Sequence, residues 1–170
     1  MAELAQVMGG RGAIAILAGN QASPHLQRRV EGVKNELAKH LGMELVPDGV
    51  VYHTETPEQA AEALNRAQCA NPDILGWAMV GGWPLLAWNV LRWEPGTVKA
   101  VAMVASPPQL AYLESGHMQL LCAPDYYGRG YRAVAILLDQ LARGRGPESD
   151  RRVDPLRRVT KENAGEFRKL

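Results

Sequence analysis

Short apolar runs alternate along this chain with amphipathic stretches, and glycine or proline separates most of them. Residues 13–17 and 74–80 are continuous apolar runs, which is typical of strands buried on both faces of a parallel sheet. The intervening stretches carry apolar side chains at spacings of three and four, as amphipathic helices do. This alternation predicts an α/β fold, with a doubly wound, mostly parallel sheet flanked by helices.

Local signals set the expected element boundaries. Ser23 followed by Pro24 predicts the start of the first helix, and Gly42 its end. Thr56 and Gln59 form the sequence pattern of a capping box for the second helix. The expected strands and extended stretches are 13–17, 44–53, 74–80, 98–104, 118–123 and 153–159. The expected helices are 24–41, 57–70, 83–93, 107–113, 126–142 and 160–169.

Length and charge restrict the function classes. The chain has 170 residues, which suits a single domain over 1–170. Nineteen basic and eighteen acidic residues leave a net charge of +1, so we expect no nucleic-acid partner. No apolar run is long enough to predict membrane insertion, and the first residues show no signal peptide, so the chain as written is expected to be cytoplasmic.

The carboxyl ends of parallel strands are where ligands bind in such folds. Five loops are expected there: 19–25, 53–57, 80–84, 104–108 and 123–127. Gly81-Gly82 does not complete a phosphate-binding motif. Cys69 and Cys122 lack metal-ligand spacing, and we expect no metal and no cofactor.

Catalysis is not expected either. Cys122 and Ser106 are the candidate nucleophiles, and the candidate bases are His25, His53 and His117. None of them lies in a supporting local motif, and Cys122 lies within an apolar strand, where cysteine is more often a core residue. The sequence therefore favours a protein that is not an enzyme.

Aromatic side chains occur in two of the five loops. Trp83, Tyr126 and Tyr127 could stack on the apolar face of a sugar, or they could simply cover the starts of helices. Arg29 lies one turn into the first helix, where it could contact a ligand or remain a solvated surface residue. The residues themselves leave both alternatives open.

Six segments in order resemble one family. They are GRGAIAILAGN, RVEG, ANPDILGW, TVKAVAM, PPQLAYLESGHMQLL and YYGRGYRAVAILLDQLARG. Together they resemble the carboxyl-terminal lobe of the type I periplasmic sugar-binding proteins of ABC transporters, the ribose- and xylose-binding group. The tail VDPLRRVTKENAGEF is similar to the family's carboxyl end. The resemblance implies one flavodoxin-like lobe of a two-lobed protein that closes on a sugar.

The resemblance also implies what lies outside this lobe. The amino-terminal lobe, signal peptide and any lipid anchor are expected to be absent, so the chain would be an excised lobe or the product of a truncated reading frame. Family membership implies a periplasmic location, a sugar ligand and an ABC transporter permease as partner. Lac-repressor-type regulators share such lobes, but no DNA-reading helix pair precedes residue 13, so an effector core is the weakest alternative.

The family's sugar-binding positions carry over unevenly. Its arginine, three residues before a glycine, matches Arg29 in RVEG. Gly81-Gly82, Val104 and Pro124 replace three expected polar residues, which predicts weak or altered sugar recognition because each hydrogen bond adds about 0.5–1.5 kcal/mol. The candidate ligand-binding residues are Asn20, His25, Arg29, Glu55, Trp83 and Asp125.

The helix over 126–142 would, in the family, pack on the other lobe. Its apolar stripe is Tyr127, Tyr131, Val134, Leu138 and Leu141. Without that lobe the stripe lacks a partner, and exposed apolar patches drive association. We therefore expect a homodimer, by exchange of this helix, or a rearranged single lobe. The alternative function is a ligand-free scaffold or dimerising interaction protein.

Overall fold

A computed structural model describes residues 1–147, 149 and 153–168. Its elements, in chain order, are α1 Ala2–Val7, β1 Arg11–Ala18, α2 Pro24–Leu37, β2 Gly42–Tyr52, α3 Pro57–Ala70, β3 Ile74–Met79, a 3-10 turn Pro84–Leu86, β4 Lys99–Ala102, α4 Pro107–Glu114, β5 Leu120–Ala123, α5 Tyr126–Arg143, β6 Arg157–Val159 and a second 3-10 turn Ala164–Phe167.

The strands form one six-stranded sheet in the order β2-β1-β3-β4-β5-β6. The first five strands are parallel to their neighbours, and β6 alone runs antiparallel, at the edge beside β5. The doubly wound, mostly parallel α/β fold is therefore confirmed. The order also brings the carboxyl ends of β1, β2 and β3 together at one half of the ligand-binding edge.

Apolar side chains cover both faces of the sheet, as a parallel sheet requires. On one face Trp77 packs with Leu64 of α3, and on the other Ile16 packs with Leu4 of α1 and Val30 of α2. All five of these side chains are buried. The two packed layers hold the sheet rigid, so its carboxyl edge is a fixed platform for the loops.

The predicted helix over 83–93 is wrong. Only the 3-10 turn Pro84–Leu86 forms there, because side chains from elsewhere hold the following backbone extended. The Tyr112 hydroxyl donates to Ala87 O and accepts from Val90 N, and Asn65 Nδ2 donates to Val90 O. Asn89, which lies between Ala87 and Val90 in the chain, has a positive φ of 52°, which a right-handed helix cannot contain.

The two chain ends also differ from the sequence expectations. α1, which buries Leu4 completely, was missed because it is only six residues long. The expected helix over 160–169 is a turn followed by the short 3-10 turn, and Lys169 lies outside the described residues. The first long helix ends at Leu37 instead of residue 41, because Gly42 already belongs to β2.

Candidate functional site

The best-formed polar cluster at the carboxyl edge of the sheet joins the loops after β1 and β2. The backbone N–H of Asn20 donates to Glu55 Oε1 at 3.0 Å. A side chain at Gly19 would collide with Glu55, since a Cβ added there would lie 2.9 Å from both Glu55 Cγ and Oε1. Glycine at position 19 therefore lets the carboxylate lie against the end of β1.

Glu55 itself adopts a backbone conformation that favours glycine. Its φ is +68°, in the left-handed region, which costs a glutamate on the order of 1 kcal/mol. Two hydrogen bonds maintain this conformation. The Glu55 carboxylate accepts from Asn20 N, and the Glu55 N–H donates to His53 Nδ1 at 2.9 Å. Strain of this kind is concentrated at functional sites, so it directs attention to this carboxylate.

His53 supports both Glu55 and Trp83. Because Nδ1 accepts the Glu55 N–H, the neutral ring carries its proton on Nε2. The ring meets Trp83 edge-to-face, with centroids 4.9 Å apart and planes at 74°. Burial lowers the pKa of His53, while the Glu55 carboxylate partly opposes that effect. His53 is therefore a buried, neutral support, whereas its sequence position indicates only a candidate base.

Trp83 lies directly over Gly81. A Cβ on Gly81 would come within 2.1 Å of the indole ring, so glycine at position 81 makes room for the tryptophan. Trp83 is partly exposed and precedes the buried Pro84 and Leu85. The ring thus covers the end of β3 and keeps some surface toward solvent, and its stacking on a sugar remains a prediction.

Arg29 reaches from α2 to the end of β3. Its Nη1 donates to Val80 O at 2.8 Å, which satisfies the carbonyl of a fully buried residue. A guanidinium has five N–H donors, so this bond leaves donors free for a ligand. Arg29 therefore lies at the same half of the edge as Glu55, Asn20 and Trp83.

Asp125 does not present a free carboxylate. It is the N-cap of α5, where Oδ1 accepts from Gly128 N at 2.9 Å and Oδ2 accepts from Arg132 Nη1 at 3.2 Å. The Gly128 N–H and then the Arg132 guanidinium lower the pKa of Asp125. The role of Asp125 as a ligand contact remains a prediction, but in this structure both oxygens serve the helix start.

His25 lies in the first turn of α2 and is exposed. Its Nδ1 is 3.0 Å from Ser23 Oγ, so the hydroxyl expected to cap α2 bonds the imidazole instead. Asn20 is also exposed, and its side-chain oxygen accepts from Ala22 N at 2.9 Å. The Asn20 amide nitrogen remains available as a donor.

The β4 half of the edge is closed by packing. A Cβ on Gly82 would lie 2.2 Å from Val104 Cγ1 and 2.4 Å from Gln109 Nε2. Gln109 is 1% exposed, donates to Gly82 O at 2.9 Å, and accepts from Ser106 N at 2.9 Å. Sequence reasoning missed Gln109, although Ser106-x-x-Gln109 is the pattern of a capping box.

The described residues show no arrangement that favours catalysis or metal binding. Burial raises the pKa of the Cys122 thiol, which opposes nucleophilic reactivity. Within the described residues no group of three or more histidine, cysteine, aspartate or glutamate side chains is placed to hold a metal ion. In the same part of the chain, no helix combines the length and apolarity needed to cross a bilayer.

A second concave surface lies away from this edge. A groove of about 460 Å³ runs between α3 and residues 87–92, along Glu58, Asn65 and Arg66. Asn65 Oδ1 is buried and unpaired there among the described residues, and it is shielded from solvent. The groove is lined by side chains of both charges, Glu58, Glu62, Arg66 and Arg92, and by the exposed Cys69 and Asn89.

Comparison with known proteins agrees with the fold. Residues 1–146 match the model of the periplasmic binding protein domain, and the chain belongs to that family. None of the curated proteins compared with the chain matches it.

Three solved structures show the likeness in space. An ABC transporter solute-binding protein from Burkholderia graminis in complex with D-arabinose has a TM-score of 0.84 and 23% identity, over 95% of this chain and 57% of that one. One from Agrobacterium vitis with α-D-tagatopyranose gives 0.83 and 21%, over 98% and 57%. One from Actinobacillus succinogenes with D-allose gives 0.82 and 20%, over 96% and 58%. The chain thus spans a little over half the length of these proteins.

Proposed function

We propose that this lobe binds a sugar or related polyol at the carboxyl edge of its sheet, as a solute-binding component of ABC-transporter carbohydrate uptake. The observation that carries the proposal is the cluster in which a strained Glu55 is held by Asn20 N–H and His53, with Arg29 bonded to Val80 O on the same half of the edge. Family membership and sugar-bound structural relatives support it. No chemical step is part of the proposal.

The available groups suit a polyol. Glu55 supplies a carboxylate acceptor, Arg29 supplies planar donors, and Asn20 supplies an amide, so adjacent hydroxyls can be bonded as donor and acceptor at once. The partly exposed face of Trp83 suits the apolar face of a sugar ring. These groups lie on the β1, β2 and β3 half of the edge, so the ligand is placed there.

A single lobe covers only one side of such a ligand. With about half of the ligand surface buried instead of the usual 70–90%, and with Val104 and Pro124 unable to donate or accept through their side chains, the affinity should be low. We expect a Kd of about 1 mM or weaker for the lobe alone, equivalent to roughly −4 kcal/mol.

Nuclear magnetic resonance titration tests the proposal, because it detects millimolar binding. We expect progressive shifts of the Asn20, Glu55 and Trp83 signals with D-arabinose, D-tagatose, D-allose or myo-inositol. Glu55→Gln should weaken binding, and Glu62→Gln, which removes an exposed carboxylate paired with Arg66 on α3, should not. Absence of shifts with every sugar, or equal binding by both variants, would contradict the proposal.

Location and transporter partner follow from the same proposal. The family is periplasmic, and solute-binding proteins deliver their ligand to an ABC transporter permease, so both are proposed for the protein that contains this lobe. A binding assay with membranes that hold the cognate permease would test this partner, because delivery of the sugar requires the solute-binding protein to bind the outer surface of the permease.

A dimerising role is the second candidate. α5 has no buried residue along its 18 positions, and it exposes large apolar side chains of which Tyr127 and Leu141 are each 83% exposed. We propose that the chain forms a homodimer, because an apolar surface of this kind is stabilised by association. Light scattering coupled to size-exclusion chromatography measures this directly, and a monomer at micromolar concentration would contradict it.

A further inference from the structure

We propose that His53 is a positioning residue for the sugar site, whose neutral ring holds the Glu55 carboxylate at the carboxyl edge of the sheet and whose protonation releases both the carboxylate and the sugar. The proposal rests on the proposed function and deepens it, because it names the group that makes sugar affinity depend on pH. Three observations support it: the hydrogen bond between the two residues, the backbone conformation of Glu55 and the burial of the imidazole ring.

The hydrogen bond between Glu55 and His53 requires a ring nitrogen without a proton. The Glu55 N–H donates to Nδ1 at 2.9 Å, so Nδ1 must offer its lone pair. An imidazolium carries an N–H group on both of its nitrogens and accepts no hydrogen bond. Protonation of the ring would therefore set two N–H donors against each other at this distance. The hydrogen bond is lost as the ring gains its charge.

The left-handed backbone conformation of Glu55 depends on that hydrogen bond. The strain of its φ of +68° and the net contribution of one hydrogen bond are of the same order, so loss of the bond leaves the strain without compensation. The bond that Glu55 Oε1 accepts from Asn20 N at 3.0 Å is then opposed by the strain. Return of φ to the ordinary region redirects the Glu55 side chain, and the carboxylate leaves the end of β1.

Electrostatic attraction acts in the same direction. Within the described part of the chain, the Glu55 carboxylate is the charged group that affects the pKa of His53, and the ring that faces His53 from the loop after β3 is Trp83, which does not titrate. An imidazolium attracts the Glu55 carboxylate toward itself and away from Asn20 N. A carboxylate that pairs with the imidazolium no longer accepts hydrogen bonds from the hydroxyls of a sugar.

The burial of His53 makes a local rearrangement necessary when the ring is protonated. The residue is 8% exposed, and its Nε2 is buried with no hydrogen-bond partner among the described residues. A charged group in such a position is costly unless it gains a partner or water, so the ring or its loop must move. Burial also lowers the pKa of His53, so the ring is neutral at pH 7 and gains its proton below the ordinary histidine value of about 6.5.

Sugar affinity measured against pH tests the role of His53. Nuclear magnetic resonance titrations with D-arabinose, D-tagatose, D-allose and myo-inositol give the dissociation constant at each pH. We expect it to rise about tenfold or more between about pH 7.5 and about pH 5, the range in which histidine gains its proton. In the absence of sugar, the Glu55 amide signal should move in step with the ring signals of His53, because the two groups share one hydrogen bond.

Two amide substitutions separate the hydrogen bond of His53 from its proton. His53→Asn places an amide oxygen close to the position of Nδ1, where it accepts a hydrogen bond but does not titrate. This variant should bind sugar at neutral pH within about threefold of the unmodified protein and should lack the decline at low pH. His53→Gln places its amide near the position of Nε2 instead, so it should bind weakly at both pH values. Both variants keep the Glu55 carboxylate, so any effect of its own protonation remains in them.

The control is His40→Asn, which removes a histidine that lies 3.4 Å from Glu36, before the start of β2, and should leave the pH dependence intact. A dissociation constant that stays constant while the His53 ring titrates would overturn the positioning role, as would a ring that stays neutral down to about pH 5 or a decline that persists in His53→Asn.

Absence of sugar binding at neutral pH would overturn the proposed function instead. The Glu55 amide titration would then still decide, without any sugar, whether protonation of His53 releases Glu55. Because that titration and the pH dependence of binding are measured on the unmodified protein, they decide the proposal even where a variant fails to fold.

Discussion

Gly82→Ala tests how the β4 half of the edge is closed. The added methyl group would lie 2.2 Å from Val104 Cγ1 and 2.4 Å from Gln109 Nε2, so one or both side chains must move. Overpacking of this kind costs about 1–3 kcal/mol. Displacement of Gln109 also weakens its bond to Gly82 O, which contributes on the order of 1 kcal/mol. We expect a loss of about 2–3 kcal/mol in the free energy of unfolding.

A double-mutant cycle assigns that loss to the contact. Val104→Ala removes the Cγ1 atom and, at a half-buried position, should itself cost about 1 kcal/mol. In the Gly82→Ala, Val104→Ala double variant the clash with Val104 Cγ1 is removed while the contact with Gln109 remains, so the combined loss should be about 1 kcal/mol smaller than the sum. Urea unfolding followed by circular dichroism at about 25 °C measures each free energy.

The control is Gly32→Ala. Gly32 lies on the exposed side of α2, and a Cβ there meets no atom within 4 Å. Alanine is the better helix former, so this variant should gain about 0.5–1 kcal/mol. If the losses in unfolding free energy of Gly82→Ala and Val104→Ala add to within about 0.3 kcal/mol in the double variant, the packing argument is refuted, because independent sites add to that precision.

Three further predictions concern the site and the helices. The pKa of His53 is lower in the folded than in the unfolded protein. Its contribution to the free energy of unfolding is therefore present above the pKa of the unfolded state and is lost as the pH falls through the pKa of the folded state. A His53→Phe variant should lack this decline, and its Glu55 amide signal should shift because the bond to Nδ1 is removed. Gly130→Ala should raise the helicity of α5 by circular dichroism, because a Cβ there meets nothing, whereas Gly128→Ala should raise it less, because its Cβ would lie 1.9 Å from the N-cap carboxylate. Tyr112→Phe should cost about 1–2 kcal/mol in urea unfolding and speed amide exchange over residues 87–90, because the hydroxyl both donates and accepts there.

The strands and long helices could be predicted from sequence because their signals are local. Continuous apolar runs located β1 and β3, and Thr56 with Gln59 located the start of α3, where Thr56 Oγ1 accepts from Gln59 N. The predicted helix over 83–93 failed for a non-local reason: Tyr112 and Asn65 bind backbone groups that a helix would have paired internally. No periodicity within residues 83–93 contains that information.

The candidate site was predicted less completely than the fold. Arg29 carried over from the resemblance, and Asn20, Glu55 and Trp83 were located because loops at strand ends are predictable. The positive φ of Glu55 could not be expected, since glycine usually marks such positions. Gln109 acts through a buried hydrogen bond to Gly82 O, 27 residues away, so its partner is set by the three-dimensional fold, whereas His53 accepts a local hydrogen bond from Glu55 N in its own loop.

At the β4 end, Gly82 and Val104 stand where the resemblance implies polar residues, and they change the packing as well as the side-chain chemistry. Gly82 allows Val104 and Gln109 to approach the end of β3, and the Gln109 amide bonds Gly82 O from the space that a residue with a side chain at position 82 would fill. An acceptor restored at position 104 alone would still face this closed contact. Positions 82, 104 and 109 are therefore coupled, and the sugar contacts that we propose are expected on the open half of the edge, at Arg29 and Glu55.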